Sequence, residues 1–302
     1  MHYRSFHAAM AGRFGCKVYK LSLDGGFGCP NRDGTIGTRG CSFCSRLGSG
    51  DFAAPADPDI RAQLEKAKTR VAHKNPGGKY IAYFQSYTNT YAPPEVLRQR
   101  FSAAIAPEDI VALDVATRPD CLGPEVLAVL AEMAQKKPLW VELGLQTIHP
   151  ETAKAIRRGY DLPVFDEAVK NLHAIGAEVI VHQILGLPGE TPEMMLETAR
   201  YIAKSGADGV KFHLLHILDD SDLYEDYLAG RVQALEKEAY FSILSQCLQA
   251  MPPHMVIHRL TGDGAKRHLV APLWSADKKR VLNDMNRYFE IHRVQQGSDW
   301  MP

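Results

Sequence analysis

Val18-Tyr-Lys-Leu-Ser-Leu-Asp-Gly-Gly-Phe-Gly-Cys29-Pro-Asn-Arg-Asp-Gly-Thr-Ile-Gly-Thr-Arg-Gly-Cys41-Ser-Phe-Cys44 joins an apolar alternation to a glycine-rich loop that carries three cysteines. The alternation at 18–23 predicts a strand, so the loop leaves a strand's C-terminal end. The cysteines are spaced C-x11-C-x2-C. Three thiolates can hold three irons of a [4Fe–4S] cluster and leave the fourth open to a small ligand. Electron-transfer clusters use four cysteines, so three point to a cluster that acts on something bound to it. The glycines around them let the backbone wrap closely and turn N–H groups toward sulfide.

Other chemistries fit less well. Cys41 and Cys44 alone suit a redox pair or half a zinc site. Zinc wants a fourth Cys or His at tight spacing, and Cys16, Cys121 and Cys247 stand isolated. Six cysteines in 302 residues with no signal-peptide pattern do not suggest a secreted disulfide framework. With 45% hydrophobic residues the chain can bury a full core, and no run approaches the ~20 apolar residues of a membrane span. Free thiols and an oxygen-sensitive cluster are expected in a cytoplasmic setting. The formal net charge of zero gives no global argument for nucleic acid.

Working outward, strand-like runs recur at Tyr80–Phe84, Ile110–Val115, Leu139–Leu145, Val179–Leu185 and Val210–Leu215. Helical patterns separate them near 58–74, 94–105, 124–136, 150–157 with 163–175, and 191–205. Pro124 in a first turn and Thr191-Pro192-Glu193 as a cap mark two starts. Six βα units predict an α/β fold, an open (β/α)6 partial TIM barrel with right-handed crossovers. Past about Asp219 the alternation stops. Helices near 220–229 and 235–250, a strand-like run Met255–Leu260 and a helix near 275–293 are expected there. The expected division is a core over 1–218 and a C-terminal extension over 219–302 packing on the barrel.

The cysteine loop and these units together resemble the radical S-adenosylmethionine (SAM) superfamily, whose cluster donates an electron to SAM and yields a 5′-deoxyadenosyl radical. The spacing departs from the commoner C-x3-C-x2-C. It is closer to the radical domain of the Elongator catalytic subunit and to the YhcC/YtqA branch, which Cys29-Pro-Asn-Arg-Asp-Gly-Thr-Ile-Gly37 matches. The resemblance implies a [4Fe–4S] cluster on Cys29, Cys41 and Cys44, with SAM as second cofactor and a flavodoxin- or ferredoxin-type electron donor.

It also implies roles at the strand ends. Gln85 and Thr88 stand where relatives take the SAM amino group, although the glycines of that segment are absent. Glu142, Gln146 and Arg158 match a coproporphyrinogen-oxidase-like pattern in which Gln contacts SAM and Arg clamps its carboxylate. Gly186, Pro188 and Gly189 resemble the adenine-binding turn, and His182 occupies the place of a ribose-binding Asp. For each, an ordinary turn, a solvated strand end or a satisfied core histidine is the competing reading. Arg118 in Thr117-Arg-Pro-Asp120, Lys211 with His213 and His216, and Arg259 in His258-Arg-Leu-Thr-Gly-Asp-Gly264 are substrate-side candidates, the last in a loop expected to close over the site. A structural ion pair or turn competes in all three places.

Charge is uneven along the chain. Arg4, Arg13, Lys17 and Lys20 precede the first acid, and Lys266, Arg267, Lys278, Lys279, Arg280, Arg287 and Arg293 crowd the tail. Such runs are ordinarily solvated faces, but both termini are expected to border the barrel mouth, where cations suit phosphate. The relatives imply tRNA as substrate, specifically the 5-substituent of the wobble uridine, with carboxymethylaminomethyl converted to aminomethyl. The acetyltransferase-like domain that accompanies the Elongator module is not seen, so an acetyl-CoA-dependent reaction is not expected. Radical chemistry on a small metabolite or peptide is an alternative, as is a non-catalytic iron–sulfur sensor. A methylthiotransferase would want a second three-cysteine set.

Overall fold

In the computed structural model, which describes residues 2–48, 53, 57–75, 78–262 and 264–301, one curled sheet organises the chain. Its strands are β1 (Val18–Leu23), β2 (Lys79–Phe84), β3 (Ile110–Thr117), β4 (Leu139–Gln146), β5 (Glu178–Leu185), β6 (Gly209–Leu214) and, after a two-residue strand β7 (Ile217–Leu218), β8 (Val256–Arg259). The order is β1-β2-β3-β4-β5-β6-β8 and every neighbour is parallel. It is a partial barrel. A parallel sheet covered on both faces needs nearly continuous apolar strands, which is what Lys79–Phe84 and Leu139–Leu145 supply.

Before β1 lies helix α1 (Phe6–Phe14). The later helices are α2 (Ile60–Val71), α3 (Pro94–Ile105), α4 (Pro124–Ala134), α5 (Pro150–Ala155), α6 (Leu162–Ala174), α7 (Pro192–Lys204), α8 (Leu223–Leu228), α9 (Lys237–Ala250) and α10 (Lys278–Ile291). Proline opens α3, α4, α5 and α7, where its missing N–H costs nothing. Thr191 caps α7 by accepting from the Met194 N–H. The apolar faces of α2, α3, α4, α6 and α7 bury Leu64, Phe101, Leu130, Phe165 and Ile202 against the outside of the sheet.

Three departures from the sequence reading bear on the site. First, the alternation does not end at Asp219. It is interrupted by β7, α8 and β9 (Leu269–Ala271), which pairs with β7. Helix α9 then packs on α7 and leads to β8, so the run expected in the extension is the sheet's seventh strand. Second, α1 was not apparent, because its first turn lacks an acid and its amphipathic stripe is short. Ser5 caps it, and it closes the N-terminal end of the barrel. Third, the N-terminal cations do not border the mouth. Arg4 donates to the His254 carbonyl before β8, and Arg13 pairs with Glu178 at the start of β5, both at the closed end.

Inside the barrel the period-2 alternation of strands stacks side chains in layers. The lowest holds Val18, Ile81, Ala112, Trp140 and Ile180, plugged by Met10 of α1. Two residues further along each strand come Lys20, Tyr83, Asp114, Glu142, His182 and Lys211. Two further again are Ser22, Gln85, Ala116, Gly144, Ile184 and His213. An apolar floor, a charged layer and an open polar mouth therefore follow one another along the axis.

Candidate active site

The cysteine loop is fastened to the barrel from three sides. Asn31 donates to the Arg157 carbonyl at 2.5 Å and also faces Cys41 Sγ at 3.5 Å. Arg157 donates to the Gly40 carbonyl and pairs with Asp222, and the Ser42 N–H reaches the Ile156 carbonyl. Arg32 folds back to the carbonyls of Ser45 and Arg46. Gly40 sits at φ 73°, and a Cβ there would come within 2.8 Å of Arg32, so glycine is required for this closure.

Cys29, Cys41 and Cys44 all face one cavity at the C-terminal strand ends. Cys41 is lowered to about 6 by the Cys44 thiol that donates to it, against burial, with Arg118, Asn31 and Arg157 assisting. Cys44, the donor of that pair and buried, is pushed well up. Three thiols on one loop that face a shared cavity, with no fourth cysteine among the described residues lining it, suit a cluster that keeps one iron open.

The same cavity is lined by Gln85, Thr88, Arg118, Glu142, Gln146, Arg158, His182, His213, His216 and Arg259. Gln146 ends β4 at φ 68°, a left-handed conformation rare for a side-chain-bearing residue, where the β4–β5 register shifts. Its Oε1 is buried without a hydrogen-bond partner. An orphaned acceptor beside three thiols suits the ammonium of a bound amino acid, and the site fits SAM.

The radical SAM superfamily profile matches residues 27–202, more than half of the chain, and the Radical SAM C-terminal domain matches 207–291. The chain belongs to the radical SAM superfamily. It is similar to the uncharacterized protein YtqA of Bacillus subtilis, 44% identical over 295 residues, covering 98% of this chain and 92% of that one. Protein YhcC of Escherichia coli is 38% identical over 301 residues, covering 98% and 96%. A tRNA uridine(34) acetyltransferase of Methanocaldococcus jannaschii is 28% identical over 189 residues, 61% of this chain and 34% of its own. Among solved structures, archaeal Elp3 of Methanocaldococcus infernus superposes with a TM-score of 0.71 at 18% identity, covering 92% of this chain and 64% of that one. This radical SAM enzyme thus uses a [4Fe–4S] cluster and SAM, and the reading as a non-catalytic sensor falls away.

The structure redistributes several expected roles. Glu142 is fully buried at the hub of the charged layer. It accepts from Lys20 Nζ at 2.8 Å, Tyr83 OH at 2.7 Å, His182 Nε2 at 2.9 Å and Lys211 Nζ at 2.5 Å. Lys20 also pairs with Asp114. Burial works against the charge on Glu142, but Lys20 and Lys211 hold its carboxyl well below the usual range. Asp114, buried and near Glu142, is raised to about 7, and Lys211, desolvated, is lowered to about 7. Lys211 is a member of this hub and does not line the cavity. His182 is lowered by burial and keeps its Nε2 on Glu142.

Arg158, expected to clamp a carboxylate, spends its guanidinium on the carbonyls of Leu145, Thr147 and Tyr160 and stacks over the Tyr160 ring. Arg118 forms a two-pronged pair with Asp120 at 2.9 and 2.7 Å. Gly186, Pro188 and Gly189 are not in the cavity wall. Gly186, at φ 94°, is needed where Leu235 comes within 3.0 Å of its Cβ position. Gly262 and Gly264 of the loop after β8 line the cavity, whereas Asp263 lies outside the described residues. Sequence reasoning missed Lys20, Tyr83 and Asp114. The available signal was a charge at an inward position of an otherwise apolar strand, as in Ile110-Val-Ala-Leu-Asp114-Val.

Proposed function

We propose that this radical SAM enzyme remodels the 5-substituent of the wobble uridine of tRNA, converting carboxymethylaminomethyl to aminomethyl. The observation that carries the substrate reading is the similarity, over about 61% of the chain, to a protein whose name places its action on tRNA uridine(34). Because the chain spans only 34% of that relative, its acetyl transfer is not carried over. SAM, with the cluster, would supply the two-electron oxidation this conversion needs: the methylene between nitrogen and carboxylate loses a hydrogen and an electron, and water hydrolyses the resulting imine to the aminomethyl group and glyoxylate.

The chain's own residues supply the setting. Cys29, Cys41 and Cys44 would hold the cluster, with Asn31 donating toward Cys41. Gln146 Oε1 would accept from the SAM ammonium, with Gln85 and Thr88 beside it. Beneath them the charged layer ties Lys20, Tyr83, His182 and Lys211 to the one carboxylate of Glu142. A flavodoxin- or ferredoxin-type protein would supply the electron.

The tail offers a surface for a polyanion. Ser275, bonded at 3.1 Å to the cavity residue His216, leads directly into Lys278-Lys279-Arg280 at the exposed N-terminus of α10. Cations at a helix N-terminus oppose the macrodipole at about 0.3–1 kcal/mol each, a cost that phosphates would offset. RNA enzymes reach such a base in a single-stranded loop.

Comparing modified nucleosides in tRNA from deletion and parent cells tests the reaction. The carboxymethylaminomethyl form should accumulate in the deletion, and an unchanged pattern would refute it. Reversing Lys278, Lys279 and Arg280 to Glu tests the surface. Each lost phosphate contact should flatten the salt dependence of tRNA binding by about 0.7–0.9 in log K against log salt.

A further inference from the structure

We propose that Arg259, together with His213, is the receptor for one carboxylate of the substrate. Its guanidinium lines the cavity, yet it makes no hydrogen bond or ion pair among the described residues. The other arginines of the wall are satisfied: Arg32 and Arg158 by main-chain carbonyls, Arg118 by Asp120. Buried guanidinium groups without partners are costly. A free one that is half-buried and turned into a cavity is therefore a place prepared for an anion.

Charge counting at this level of the barrel reaches the same result. Lys20, Lys211 and Arg259 face Glu142 and Asp114, three cations against two anions. Moving a proton from Lys211 to Asp114 removes one charge of each sign and leaves the surplus at one. While Lys211 and Asp114 hold that one proton between them, a single negative charge completes the layer. His213 supplies the second contact. It lines the cavity, its Nε2 is buried without a partner, and it packs 5.0 Å from the His182 ring. As Nε2–H it donates one neutral hydrogen bond beside the guanidinium fork, whose planar geometry matches a carboxylate.

Position favours the substrate over SAM as the source. Arg259 pairs in register with Lys211, in the charged layer, whereas Gln146 lies beyond Glu142 of that layer, at the C-terminal end of β4. A group that reaches Arg259 has passed beneath the mouth. The inference rests on the proposed reaction to the extent that the substrate must react in this cavity, but it does not require that substrate to be tRNA.

The probes are two matched nucleosides, 5-carboxymethylaminomethyluridine and its carboxamide, 5-carbamoylmethylaminomethyluridine. They are titrated anaerobically into the iron-loaded enzyme with SAM present. The carboxylate should bind about tenfold or more tightly than the amide, as expected for a charge-assisted pair. Arg259→Gln should abolish that preference and Arg259→Lys retain part of it, with iron content and SAM affinity unchanged in both. Equal binding of the two probes, no binding of either at millimolar concentration, or a preference that survives Arg259→Gln would overturn the proposal. So would a tenfold loss of SAM affinity in Arg259→Gln, which would assign the carboxylate to SAM. A carboxylate preference combined with unchanged tRNA nucleosides in deletion cells would retain the receptor and reject tRNA.

Discussion

Replacing Glu142 with Gln should destabilise the protein far more than its isosteric shape suggests. The carboxylate accepts four hydrogen bonds, two of them from ammonium groups and one each from a phenol and an imidazole, at 2.5–2.9 Å. An amide keeps one acceptor oxygen and turns an NH2 toward donors. Lys20 then keeps Asp114 as its carboxylate, and Lys211 keeps the Tyr83 hydroxyl. Removing one partner of a buried ion pair costs about 3–5 kcal/mol. Lys211, held down at about 7, escapes part of this by staying neutral at pH 8, which favours the lower end, about 3 kcal/mol. At about 2.1 cal/mol/K per residue, 302 residues give an unfolding entropy of about 0.63 kcal/mol/K, so the melting temperature should drop by about 5 °C. Anaerobic thermal melts of the metal-free protein at pH 8 measure this. A second pair checks the cause: Glu142→Leu with Lys211→Met should be more stable than Glu142→Leu alone, because it also removes the buried amine left without its carboxylate. If Glu142→Gln melts within about 2 °C of the parent, or the double variant gains nothing over the single, the hub is not an electrostatic unit.

Two further predictions concern the thiols and the histidines. Ala at Cys29, Cys41 or Cys44 should abolish reconstitution of about four irons per chain, whereas Ala at Cys16, Cys121 or Cys247 should not. Iron retained after loss of any of the first three would reject the triad. His213 and His258 are held well below their usual value by burial, and His182 is lowered likewise. Below about pH 6.5 the unfolded chain therefore binds up to three protons that the native one refuses, so stability falls as pH falls. Asp114, raised to about 7, opposes this with one proton held in the native state. The two strongly lowered histidines against one aspartate leave a net of at least one proton, a loss of at least about 1.4 kcal/mol per pH unit near pH 5.5 from this cluster. Urea melts at pH 6 and pH 5 read it directly, and a flat or rising stability over that interval would contradict the assignment.

The cysteine loop was legible because its chemistry is local. A strand, a glycine-rich turn and three thiols at fixed spacing already lie within 27 residues of chain. The six βα units were legible for the same reason, since periodicity and proline or threonine starts are short-range signals. The seventh was hidden because β7, α8 and β9 break the rhythm, and only pairing with β6 shows what residues 256–259 are. Arg158 shows the opposite case. Its spacing from Gln146 matched a family pattern, yet the local backbone presents carbonyls that claim the guanidinium first.

By itself, then, the sequence determined the family and the class of fold and singled out three cysteines as candidate cluster ligands, all of which depend on residues near one another along the chain. Tertiary structure decided which charges meet. Lys20, Tyr83, Asp114, Glu142, His182 and Lys211 come from six different strands, up to 191 positions apart, and nothing in their local sequence specifies the shared layer. Curling the sheet brings those inward positions to one level, where low dielectric makes every pairing strong and every omission costly. The same closure leaves Arg259 at the edge of that layer, with its charge turned to the cavity and unanswered by the described residues around it.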